Sequence, residues 1–181
     1  MNQIERLEKV NAIVQSEFGK MSDEQLNWKP SKDKWSIAEC LLHLVKSNST
    51  YFPGLDDIIN GKQSSFWEKA NPLSRSIGKS MLKSLGVSIK RKHKSPELFR
   101  PDRPSNAVQT IQTFINHQDA LIDKFKKLED LKNMNRNITS PVSKLITLPL
   151  TDCLEILTGH EERHLNQAIE LTKQNTFPGS K

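Results

Sequence analysis

Cysteine is nearly absent from this chain, with Cys40 and Cys153 the two thiols in 181 residues. Two cannot form a disulfide framework, and a reducing compartment suits both as free thiols. Glycine is scarce at seven residues and aromatics make up only 6%, while no stretch shows good strand alternation. These shortages argue against a disordered or barrel-forming chain. No run approaches the roughly 20 apolar residues of a membrane span, and M-N-Q-I-E-R-L-E-K-V at the start lacks the apolar core of a signal peptide. A cytoplasmic protein without a membrane partner is the expectation. Internal repeats and low-complexity tracts are also missing.

What is present fits a helix-rich globule: 35% hydrophobic and 27% charged residues in a length that suits a single domain over 1–181. The formal net charge of +6 is uneven. Nine basic residues lie between Arg75 and Arg103, including K-R-K-H-K at Lys90 to Lys94, against only Glu97 and Asp102. Such a segment is ordinarily a solvated loop, but its charge favours anionic partners. Nucleic acid is not the expected one, because interleaved aromatics and a recognition helix are both lacking.

Apolar periodicity places a first helix from about Gln3 to Phe18, with Asn2 as N-cap and Gly19 as its end. A short capped turn follows at Ser22 to Leu26, then an extended connector around Pro30. Ser36 and Glu39 form a capping box that opens a second helix, which fades near Tyr51 with a break at Pro53-Gly54. Residues 61–104 lose clear period and read as a long crossover with at most one short helix, through Ile77, Met81, Leu82 and Leu85. Ser105 is the expected cap of a third helix, Asn133 to Pro149 is a second connector, and Thr151 caps a fourth helix reaching about Lys173. The fold class is therefore all-α, a four-helix bundle with a long crossover connection.

Near the C-terminus, on the fourth helix, T-G-H-E-E-R-H-L-N-Q satisfies H-E-x-x-H. At 100° per residue, His160 and His164 fall on one flank of the stripe Leu154, Leu157, Leu165, Ala168 and Leu171. Imidazoles one turn apart can converge on one metal ion. A third ligand is needed, and His43 lies beside the apolar face of the second helix; His117 and His93 read as surface residues. A peptidase is not expected, since L-N-Q-A-I-E-L after His164 supplies no further ligand and Glu170 is on the wrong face. Glu161 falls on the apolar stripe as a half-buried carboxylate, a possible catalytic group or else a bundle-edge residue paired with a lysine. Cys40 and Cys153 read as buried core thiols rather than ligands, and Trp35 as a packing residue that fixes entry to the second helix.

K-W-S-I-A-E-C-L-L-H-L together with the distant G-H-E-E-R-H-L-N-Q closely resembles the DinB-like superfamily. S-D-E-Q-L-N-W-K-P and K-S-P-E-L-F-R-P extend the resemblance over nearly the whole chain. It implies a DinB/YfiT-like four-helix bundle, commonly a homodimer, with a metal held by His43, His160 and His164. It further implies a metal-dependent enzyme acting on a small-molecule substrate, either a thiol S-transferase of the bacillithiol type or a hydrolase. The expected cofactors are a divalent metal (zinc, nickel or iron) and a low-molecular-weight thiol. Because such thiols carry carboxylates, Arg100 and Arg103 are the expected anion anchor. The competing reading is a non-enzymatic bundle whose basic loop binds an acidic partner.

Overall fold

The computed structural model describes residues 1–85, 95–132 and 134–179. The Lys90 to Lys94 cluster, His93 included, lies outside the described residues. Helix α1 (Gln3–Ile13) continues through a π-helical turn, Val14–Phe18, as one rod, and α2 (Asp23–Asn27) and α3 (Ile37–Ser49) follow. Then come α4 (Phe52–Ile59), α5 (Phe66–Ala70), α6 (Ser74–Leu85) and a 3-10 turn at Glu97–Phe99. Helix α7 (Ala107–Leu128), the strands β1 (Asn137–Thr139) and β2 (Thr147–Pro149), and α8 (Leu150–Thr172) complete the order.

Local chemistry sets these starts. Asn2 with Glu5, Ser22 with Gln25, Ser36 with Glu39 and Ser65 with Glu68 are complete capping boxes. Each satisfies two amide donors, and losing such a cap costs about 1 kcal/mol. The bundle is built from α1, α7, α3 and α8 in that order around its axis, since α1 and α3 each pack on both α7 and α8. The fold is thus the expected all-α bundle.

Its interior is two apolar clusters stacked end to end. One gathers Leu7, Leu55, Leu121, Phe125, Leu128 and Leu157, and the other Phe18, Leu41, Leu44, Phe114, Leu165 and Ala168. Between them lies a polar layer: Asn48 from α3, Gln118 from α7 and Glu161 from α8, with Gln118 also donating to the Leu7 carbonyl of α1. All three side chains are buried.

Several boundaries differ from expectation. The crossover holds two helices and a 3-10 turn rather than at most one helix. Pro53 does not merely break the second helix; it sits in the first turn of α4, where its missing N–H is no loss. Asn106, not Ser105, caps α7, and Thr151 lies inside α8 behind Pro149. The second connector contains an antiparallel hairpin pairing Ile138 with Leu148, too short for alternation to register. No described helix is long and apolar enough to cross a membrane.

Candidate metal centre

Helix α3 buries Cys40, Leu41 and Leu44, and that stripe carries His43 inward until only 3% of it is exposed. Helix α8 buries Leu157, Leu165 and Ala168 and turns His160 and His164 toward the same point, each half-buried. The three imidazoles meet: ring centroids are 5.0 Å apart for His43 and His160, and 4.6 Å for the other two pairs. One nitrogen from each ring lies within 4.8 Å of the others, so the group can hold a metal ion.

Hydrogen bonding fixes which nitrogens are free. The His43 Nδ1 is 2.7 Å from the Phe99 carbonyl, which can only accept, so that nitrogen carries the proton and Nε2 is bare. The bare Nε2 is 3.1 Å from His160 Nε2. Two nitrogens each about 2.0–2.1 Å from a common ion are separated by about 3 Å. The Nδ1 of His164 is buried and has no hydrogen-bond partner among the described residues. A buried imidazole nitrogen without a described partner, in a cluster where each ring brings one nitrogen within 4.8 Å of the others, suits a cation, and a carbonyl behind the ring is the usual outer partner of a ligating histidine.

Electrostatics keep the rings neutral, the form that binds metal. Burial lowers the pKa of His43. Burial, then the charges of His43 and Arg163, push His160 down to about 3. Burial followed by the neighbouring histidines and Arg163 lowers His164 to about 2. Burial raises the pKa of both thiols, Cys153 being pushed up to about 12, and neither belongs to the cluster of converging ligand atoms.

Glu161 is not half-buried but wholly so. Among the described residues it pairs with no lysine: Asn48 Nδ2 donates to Oε1 and Gln118 Nε2 to Oε2, each at 2.6 Å. Burial outweighs these bonds and raises its pKa to about 8. Both oxygens face the polar layer, and among the described residues it makes no hydrogen bond to a histidine. His117 also departs from its surface reading: half-buried, it stacks flat on Phe52 at 4.8 Å with its Nε2 unpartnered. Arg100 and Arg103 are exposed, and Arg100 is carried near α3 because Lys46 Nζ donates to its carbonyl at 2.8 Å.

Two neighbours of the centre were not foreseen. The indole of Trp35 lies 4.6 Å from the His43 ring and 5.7 Å from that of His164, forming a wall of the site rather than only a helix entry. Its place directly before the Ser36 cap is the only trace of this in the sequence. The Phe99 carbonyl comes from the crossover, and a backbone acceptor leaves no residue-type signature.

Fold and site together define an all-α bundle with a metal-competent three-histidine cluster bridging two of its helices. The chain belongs to the DinB superfamily, which it matches over residues 6–168. It is similar to the uncharacterized protein YuaE of Bacillus subtilis (strain 168), at 25% identity over 163 residues, 88% of this chain and 90% of that protein. No solved structure matches the chain.

Proposed function

We propose that the protein is a divalent-metal enzyme that transfers a low-molecular-weight thiol to small electrophiles, with His43, His160 and His164 as ligands to zinc, nickel or iron. The observation that carries this reading is the bare His43 Nε2 set 3.1 Å from His160 Nε2, in a cluster whose imidazoles are held neutral. Three protein ligands leave an open position, the arrangement of reactive rather than structural sites. A divalent ion there would hold a thiol as its thiolate, the nucleophilic form.

The chain's own groups supply the rest. The Phe99 carbonyl orients His43 and fixes its tautomer. Trp35 covers one side of the imidazoles and restricts water there. Arg100, exposed beside the Phe99 strap, is the carboxylate anchor, with Arg103 following on the same segment. Glu161 supports α8 behind the histidines.

Metal content decides first. Purified protein is expected to hold about one ion per chain by plasma mass spectrometry, and His43→Ala or His160→Ala to lose it while far-ultraviolet dichroism is retained. Wild type lacking metal after incubation with zinc, nickel and ferrous ions would leave a non-enzymatic bundle instead. Arg100→Ala is expected to raise KM for the thiol about fivefold to tenfold with kcat little changed. An unchanged KM removes the anchor.

A further inference from the structure

A second site lies away from the histidines, at the end of the bundle where α8 begins. A cavity of about 640 Å³ opens there between α5, α6, the hairpin and the first turn of α8. Lys69 on α5, Lys79 on α6, Lys132 after α7 and Arg136 before β1 all line it. Asp152 is the acidic residue in its wall, lying against Gly78 of α6. Four cations from four separate segments around one concavity repel one another, and the fold keeps them together. Part of that charge is offset locally, since Lys132 pairs with Glu129. Among the described residues, Arg136 donates to the neutral Lys62 carbonyl and Gln63 Oε1, at 3.3 and 3.2 Å, and to no carboxylate. Lys69 and Lys79 make no ion pair among the described residues.

From this cavity we infer a binding site for a small, multiply charged anion carrying phosphate or carboxylate groups. Its wall is made of lysine, arginine, asparagine, serine, threonine, proline and the one aspartate, with no aromatic face on which a base could stack. Even with Lys132 paired and Asp152 in the wall, a monoanion would leave cationic charge unanswered, whereas two or more anionic groups could engage Arg136 in bidentate fashion and the lysines as point charges. The N-terminal end of α8 adds favourable potential, because Thr151 and Asp152 line the cavity and no side chain caps that helix. Asp152 and His160 are separated by eight residues on one helix, about 12 Å along its axis, so this site is distinct from the metal centre.

Calorimetric titration at fixed ionic strength tests it, using a hexose bisphosphate as the phosphate probe and a benzene tricarboxylate as the carboxylate probe. Saturable binding of one anion per chain is expected for at least one probe. The doubly reversed variant Lys69→Glu/Lys79→Glu should bind about tenfold or more weakly, equal to about 1.4 kcal/mol or more. Neither side chain makes a described hydrogen bond, so that variant should fold as wild type does. His160→Ala should bind as wild type does even when metal is lost, which separates this site from the proposed metal function. Three results would overturn the inference: no saturable heat from either probe, equal affinity in the reversed variant, or binding abolished by His160→Ala alone.

Discussion

Glu161 carries a carboxyl into a core where no cation among the described residues meets it, and its partners are the amides of Asn48 and Gln118. Held up to about 8 against an ordinary 4.5, it keeps a proton in the folded chain that the unfolded chain releases. Its contribution to stability is therefore full below about pH 4.5 and is lost as pH rises through about 8. His117 acts in the opposite sense. Burial pushes it from 6.5 down to about 4, so its contribution is present above pH 6.5 and is lost as pH falls through about 4. In chelator, His43, His160 and His164 share the sense of His117, and the acid limb of a stability profile should be the steeper one. Urea unfolding across pH checks this: Glu161→Gln should flatten the alkaline decline, a slope of at most about 1.4 kcal/mol per pH unit, and leave the acid limb. An unchanged alkaline limb would mean that Glu161 is ionised in the folded chain. The histidines were legible because helical spacing reports which face a residue occupies. The amide partners of Glu161 were not, because Asn48 and Gln118 look like any polar residues until α3 and α7 are brought against α8.

Among the elements, α1 is tied to α8 by polar side chains, with Gln3 donating to Glu155 at 3.1 Å and Arg6 making the ion pairs. The Arg6 guanidinium binds Glu155 at 2.7 Å and Glu162 at 2.7 Å, carboxylates two turns apart on α8. Those hydrogen bonds raise the arginine's already high pKa further. Arg6→Ala should cost about 1–2 kcal/mol in urea unfolding. Most of the loss belongs to Glu162, the more buried partner, since Glu155 is 40% exposed. A loss that disappears in high salt would place the pair on the screened surface instead. The bundle helices were readable from period and capping, as Ser36 and Glu39 illustrate. The hairpin was not, because strands of three residues hold too little alternation, and its one firm apolar pair, Ile138 with Leu148, acquires meaning only when Ile138 lies against Gly54 of α4. Helix α6 was half visible through Ile77, Met81 and Leu82, whose packing against α8 and β2 supplies the stability its composition does not announce.

Across the whole molecule, the histidine cluster joins α3 to α8 above the polar layer that separates the two apolar clusters. An ion held by both helices binds the folded chain and not the unfolded one, so saturation at a hundred times Kd should add about 2.7 kcal/mol, or roughly 5–10 °C in Tm. His43→Ala should remove the whole increment, as read by scanning calorimetry with and without chelator. An undiminished increment would mean that the ion sits elsewhere.

The bond from His43 to the Phe99 carbonyl makes the crossover part of this account. Peeling the strap away would free the His43 ring to change tautomer, so whatever favours the bare Nε2 must also favour a docked strap, by the same factor in each direction. The exposed Glu97–Leu98 bond of that strap thereby becomes a clock: glutamyl endopeptidase should cut it more slowly when the histidines hold an ion, and His160→Ala should abolish the difference.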